Sequence, residues 1–232
     1  MIQARTNYIY YIFILREYLL QLVGINHPRE IVMLIILSIY KPIQISCGSF
    51  HNILFYDKIY VWGLNDDAQL GFGHKRKVLF PTELVLPEKI KSISCGSSHT
   101  IALTYIPNKI YVWGCNYSGQ LGLGPLEKKY IPGSRSSPRQ LFLPTAIKSV
   151  SCGVFYTIAL TSIPNKMYVW GSNVYGQLGL GHYTKQSSPQ ELILSEPIIS
   201  VSCGSYHTVT LIKNSDHSNK IFVWGWNKYG LE

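Results

Sequence analysis

From residue 42 onward the chain alternates short apolar runs with clusters of Gly, Pro, Asn and Ser. Apolar runs of about five residues bounded by turn residues predict β-strands. Thr82–Leu86, Ile90–Cys95, His99–Leu103 and Lys109–Trp113 are four such runs in succession. No 11-residue helical period interrupts them, which excludes a helical solenoid. In Tyr111-Val112-Trp113 the apolar character does not alternate. Successive strand residues point to opposite faces, so both faces of such a strand are expected to be covered.

The runs recur as a unit. Cys-Gly falls at Cys47-Gly48, Cys95-Gly96, Cys152-Gly153 and Cys203-Gly204, and Trp-Gly at Trp62-Gly63, Trp113-Gly114, Trp170-Gly171 and Trp224-Gly225. The tryptophans of these pairs are 51, 57 and 54 residues apart. One residue after each Trp-Gly comes Asn65, Asn116, Asn173 or Asn227. A Gly-Gln-Leu-Gly turn follows at 119–122 and 176–179, with Ala68 in place of the first glycine in the first copy. Trp113 to Cys152 spans 39 positions against 33 in the flanking copies, and the excess lies between Gly124 and Pro138. Insertions confined to a connection leave strand register intact.

Four strands in about 50 residues make one propeller blade. The predicted fold is all-β, a partial or small β-propeller of about four four-stranded blades. The propeller repeats span residues 42–232, with units near 42–63, 81–114, 138–171 and 189–225. Leu70, Leu121 and Leu178 are expected to plug between blades, and the Trp-Gly tryptophans to pack between adjacent sheets.

Cys95-Gly96-x-x-His99-Thr100-x-Ala102-Leu103, then Tyr111-Val112-Trp113-Gly114-x-Asn116, then Gly119-Gln120-Leu121-Gly122-Leu123-Gly124 resembles the repeat of the regulator of chromosome condensation family. The resemblance recurs over residues 42–232. It implies a propeller, of about seven blades in that family, that works as a non-catalytic protein-interaction scaffold. The founding member is a guanine-nucleotide exchange factor for a small GTPase, so exchange is the alternative. No residue of that activity carries over, because the match covers only the blade framework. Seven blades would need about 350 residues; a truncated copy, a small closed ring and pairing with another chain all stay open.

Residues 1–41 match the repeat poorly. Gln21 lies 26 residues before Cys47, the offset of Gln69 from Cys95, which suggests a decayed blade. The rival reading is a helix opening at Pro28-Arg29-Glu30-Ile31, with Asn26 or His27 as its cap. That stretch resembles the first helix of an F-box, with His27 where the pattern has Leu. The F-box likeness implies a substrate-recognition subunit of a ubiquitin ligase, bound to a Skp-type adaptor. The apolar stretches Tyr8–Leu15 and Ile31–Tyr40 are each shorter than the about 20 residues of a spanning helix. No small-x-small cleavage site follows the first.

Apolar residues make up 47% and charged residues 14%, which excludes a disordered chain. No two of the five cysteines form Cys-x-x-Cys, and repeat-equivalent positions lie too far apart to bridge. Neither a disulfide nor a metal nor a cofactor is expected. The thiols fit a reducing compartment, cytoplasmic or nuclear. Cys95 with His99 could make a nucleophile pair, but Tyr156 replaces the histidine in the third copy and no carboxylate keeps a fixed offset. These histidines are expected to bond backbone within their blade, and the chain to be no enzyme.

The net charge of +9 has a location. Lys75, Arg76 and Lys77, then Lys128, Lys129, Arg135 and Arg139, then Lys185, fall in matching connections of three units. Equivalent loops of a propeller emerge on one face. The expected working surface is therefore a basic rim suited to an acidic protein or DNA.

Overall fold

A computed structural model describes residues 44–125, 134–214 and 218–228. The chain divides into two compact units, Met1–Gln44 and Ile45–Glu232, and the repeats fill the second. The F-box-like helix and the decayed blade expected in residues 1–41 lie outside the described residues. Within those residues every regular element is a strand.

The first sheet contains β1 (Gln44–Cys47), β2 (His51–Phe55), β3 (Ile59–Gly63) and β4 (Val78–Leu84), paired in that order. The second contains β5 (Ile90–Cys95), β6 (His99–Thr104), β7 (Lys109–Cys115) and β8 (Ser134–Phe142). The third contains β9 (Ile147–Cys152), β10 (Tyr156–Thr161), β11 (Lys166–Gly171) and β12 (Gln186–Ile193). The fourth has three described strands, β13 (Ile198–Cys203), β14 (His207–Lys213) and β15 (Asn219–Gly225). All neighbours are antiparallel, so these are propeller blades laid side by side.

One expectation about grouping is corrected. The run at 82–86 does not open the second blade. Its strand β4 pairs with β3, Tyr60 opposite Glu83, and closes the first. Each blade therefore begins at its Cys-Gly strand and ends beyond its Gln-Leu-Gly turn. The outermost strands explain themselves by composition. Pro81, Pro138 and Pro189 sit inside β4, β8 and β12. Proline has no N–H to donate and is confined to sheet edges, where it also discourages pairing with another chain.

In the first three blades the Trp-Gly dipeptide marks an irregularity near the end of the third strand. The register of β7 on β8 slips between Val112 and Gly114. Gly114 has φ of 95°, and a Cβ there would stand 2.5 Å from the Ser98 carbonyl oxygen, so glycine is required.

Every apolar core lies between two blades. Ile53, Val61, Leu70 and Leu84 of the first blade meet Ile90, Ala102, Tyr111 and Trp113 of the second. The second meets the third around Ile101, Val112, Leu121, Tyr168 and Trp170. The third meets the fourth around Tyr156, Val169, Leu178, Ile198 and Ile212. Leu70, Leu121 and Leu178 are fully buried plugs, as expected. Each residue of β6 and of β10 is buried, which is why those strands do not alternate.

Trp113→Ala empties a site between two blades and should cost about 3–5 kcal/mol. Trp226, 36% exposed, is the comparison. Its truncation should lower the urea midpoint far less, and equal shifts for the two would mean that Trp113 does not carry the interface.

Candidate interaction surface

The polar residues of the repeat are used to join blades. In the first blade, Gln69 turns its side chain back so that Oε1 accepts from the Asp67 N–H at 3.0 Å. Its backbone carbonyl then faces the second blade, where Trp113 Nε1 donates to it at 2.8 Å and Thr100 Oγ1 at 3.2 Å. The same pair of donors reaches Gln120 from Trp170 and Thr157, and Gln177 from Trp224 and Thr208. His51 Nε2 lies 3.2 Å from Thr100 Oγ1, and His99 Nε2 3.0 Å from Thr157 Oγ1. Since each threonine hydroxyl donates to a glutamine carbonyl, it accepts from the histidine, which assigns the Nε2–H tautomer. The expectation that these histidines bond backbone within their own blade is thus corrected: they reach a side chain of the next one. In the third blade Tyr156 OH donates to the His207 carbonyl and also lies 3.2 Å from Thr208 Oγ1.

A second clasp runs along the innermost strands. Cys95 N–H donates to Ser46 Oγ at 2.9 Å, Cys152 N–H to Ser94 Oγ at 3.1 Å and Cys203 N–H to Ser151 Oγ at 3.0 Å. The matching thiols donate to the backbone oxygens of the same serines. The cysteines are therefore hydrogen-bond donors as well as small apolar residues, and all five are free thiols. The serine before Cys did not stand out in the sequence, and the threonine after His appeared there only as part of the repeat motif, without a role. Their recurrence beside Cys-Gly and His was the available signal.

Burial sets the electrostatics. Desolvation pulls His51 down to about 4 and His99 to about 3, the latter helped by His51. Both rings are neutral in the fold, and neither has a carboxylate to orient it for base catalysis. Burial pushes the Cys95 thiol up to about 12 and Cys203 to about 11, so neither is an activated nucleophile. Among the described residues no cluster of three or more His, Cys, Asp or Glu could hold a metal ion. In the same set no helix is long and apolar enough to cross a membrane.

What the clasps leave exposed is the connection after Trp-Gly. Asn65 Oδ1 accepts from Leu70 N–H at 3.0 Å, while its Nδ2 donates to the carbonyls of His74 and Arg76 at 2.8 and 3.0 Å. One buried side chain thus pins both ends of the loop that carries Lys75, Arg76 and Lys77, all exposed. Asn173 holds His182 and Thr184 in the same way, just before exposed Lys185. Gly73 N–H donates to the Ser136 carbonyl at 2.7 Å, which lays the first loop against the second blade beside Arg135. Gly124 N–H likewise bonds Ser187, two residues from Lys185.

The expected rim is thereby partly assembled and partly rearranged. Arg135 and Arg139 lie within β8, not in a connection, because the Pro138 stretch forms the edge strand. Arg135 pairs with Gly114 at the loop end of the sheet. Arg139 pairs with Val112, two residues further along β7, about 7 Å by strand rise. Lys128 and Lys129 lie outside the described residues. The sequence reading also missed an aromatic group on this side, Tyr175, Tyr206 and Trp226, whose rings stand 5.3–5.8 Å apart.

Residues 56–103, 108–160 and 165–211 match the Regulator of chromosome condensation (RCC1) repeat. The chain belongs to this repeat family. The Ultraviolet-B receptor UVR8 of Arabidopsis thaliana is 32% identical to this RCC1-repeat chain over 198 residues, 82% of the chain and 43% of the receptor. The X-linked retinitis pigmentosa GTPase regulator of Canis lupus familiaris is 36% identical over 164 residues, 68% of the chain and 16% of the regulator. The crystal structure of human WBSCR16 matches with a TM-score of 0.69 at 26% identity, covering 82% of this chain and 50% of that one. The RCC1-repeat chain spans half or less of the length of each.

Two consequences of the clasps are measurable. His51 and His99 have folded-state values below the ordinary 6.5, so the unfolded chain takes up protons that the fold refuses. Stability should be level above pH 7 and fall as pH drops below 6.5, by up to about 1.4 kcal/mol per pH unit for each histidine. Glu88, held low by Lys109 and Tyr111, contributes only below its ordinary 4.5, so urea melts between pH 6.5 and 5 isolate the histidines. A flat profile there would mean that the rings are solvated. Ellman titration should find five thiols in the denatured, unreduced protein and a fast-reacting minority in the native one, because Cys95, Cys152 and Cys203 are tied up and undissociated.

Proposed function

We propose that this RCC1-repeat chain is a non-catalytic scaffold in the cytoplasm or nucleus, needing no cofactor, that binds protein through its basic rim. The observation that carries this reading is the pinned loop of Lys75, Arg76 and Lys77. Its backbone is fixed by Asn65, while its charges face solvent. A preordered loop loses little entropy on binding. Its charges, with Arg135 and Lys185 along the same edge and Arg139 further along the strand, raise the local potential and speed encounter with acidic partners. His51 and His99, by contrast, are spent on inter-blade hydrogen bonds.

The alternative is guanine-nucleotide exchange on a small GTPase, favoured by the relative whose name is GTPase regulator. Release of a fluorescent nucleotide from a panel of small GTPases separates the two. The scaffold reading expects no acceleration, and catalytic release would replace it. The ubiquitin-ligase reading rests on residues 1–41, and loss of capture of a Skp-type adaptor on their deletion is its test.

For the rim, Lys75, Arg76 and Lys77 are reversed to glutamate and captured partners are identified by mass spectrometry. Reversal should strip acidic partners from the eluate at low salt. Salt screens such contacts over about 8–10 Å, so wild-type capture should also weaken steeply with ionic strength. An unchanged partner set would place the working surface elsewhere.

A further inference from the structure

The basic loops do not stand alone on their side of the propeller. Gly63 pairs with Val78, so the whole connection from Leu64 to Lys77 emerges from one end of the first sheet. The turn between β1 and β2 emerges at that same end, and Leu64 N–H donates to its Phe50 carbonyl at 2.8 Å. The later blades repeat the contact, Cys115 to Ser98, Ser172 to Phe155 and Trp226 to Tyr206. The inner turns are also linked to one another, Ser49 N–H to Ser97, Ser97 N–H to Val154 and Val154 N–H to Ser205. They form one continuous arc, with the basic loops at its margin.

That arc is rich in aromatic residues. Phe50 is 68% exposed, Tyr117 58%, Tyr175 41% and Trp226 36%. Tyr175 stacks on Trp226 at 5.5 Å, and both rings meet Tyr206 edge-on. Mutual stacking fixes these side chains before any ligand arrives. Rigid, half-exposed Tyr and Trp on a face that also carries basic loops are the composition of a protein-binding hot spot with a polar margin.

We propose that this face docks an acidic protein surface that presents apolar side chains, the aromatic arc supplying the contact area and the basic margin the orientation. The proposal rests on the scaffold reading above and adds the centre of the interface to its edge. Charge complementarity decides the occupant. With a net charge of +9 and Lys75–Lys77 at the margin, a second copy of the chain would be repelled. Tyr175 and Trp226 already stack on one another, which leaves fewer ring faces for bases than an open stacking platform has, so the occupant named is a folded or peptide surface and not nucleic acid.

The test measures binding of three polyanions to the full chain: polyglutamate, a glutamate–tyrosine copolymer of equal length, and a short DNA duplex. The copolymer should bind at least about tenfold tighter than polyglutamate, the scale of one aromatic hot spot. Tyr175→Ser with Trp226→Ser should bring that ratio close to one. Phe50→Ser, further along the arc, should lower it by itself and guards against a double variant that unfolds. Lys75→Glu, Arg76→Glu and Lys77→Glu together should weaken both polymers and leave the ratio intact. A ratio near one in the wild type, a ratio untouched by the aromatic variants, or a duplex that outcompetes the copolymer at matched charge overturns the proposal. Charge reversal without effect on either polymer would defeat the basic rim alone, because the copolymer ratio is read independently of it.

Discussion

One backbone carbonyl per blade decides how the next blade sits. The oxygen of Gln69, Gln120 or Gln177 accepts both an indole N–H and a threonine hydroxyl from the following sheet. Around each contact lies an apolar cluster from which water is excluded, and a buried carbonyl without a partner there would cost about 1–3 kcal/mol. Register between blades is thereby fixed to the ångström by groups that cannot be left unpaired. The hydrophobic clusters supply the driving force, and the carbonyl supplies the geometry.

The requirement reaches into the local sequence. The glutamine must fold back on its own turn to aim its carbonyl outward, so Oε1 of Gln69, Gln120 and Gln177 accepts from the N–H two residues earlier. Positive φ follows in the turn, met by Gly119 and Gly176 and, in the first copy, by Ala68 at φ 61°. Asparagine holds the turn through the leucine N–H. In the first and third blades its amide then continues to the carbonyls that flank the basic residues. Structural precision thus passes from the buried interface to the solvent-exposed loop along one side chain.

Much of this was legible in the chain itself. Cys-Gly, Trp-Gly and Gln-Leu-Gly recur because each marks a glycine or a plug that tolerates no substitute, and such constraints survive as visible repeats. The blade count and the leucine plugs followed from them. The assignment of Thr82–Leu86 to the wrong blade had a physical cause. An edge strand pairs on one side only, its β4 form is largely exposed, and its sequence reads the same whichever sheet it closes. The histidine partners were hidden for a different reason. A hydrogen bond between residues 49 or 58 positions apart leaves no local pattern. The aromatic arc escaped because it draws on two different turns: Phe50, Phe155 and Tyr206 recur three residues after Cys, whereas Tyr117, Tyr175 and Trp226 fall at different positions after Trp-Gly.

That last point separates the two kinds of residue in a repeat. Positions that serve the inter-blade interface must repeat, because each interface poses the same problem. Positions that serve a partner need not, because an asymmetric partner meets each blade at a different point. Tyr156 shows the boundary case: it replaces a histidine yet remains in the interface, reaching the next blade's threonine as histidine does and its backbone as well. Trp226 stands where other copies carry Leu64, Cys115 or Ser172, and Tyr175 where they carry Asp67, Ser118 or Tyr229; the two rings stack on each other between the third and fourth blades. Departures from the repeat that face solvent are therefore informative residues for function, and Tyr117 and Trp226 lie on the same end of the sheets as the pinned basic loops.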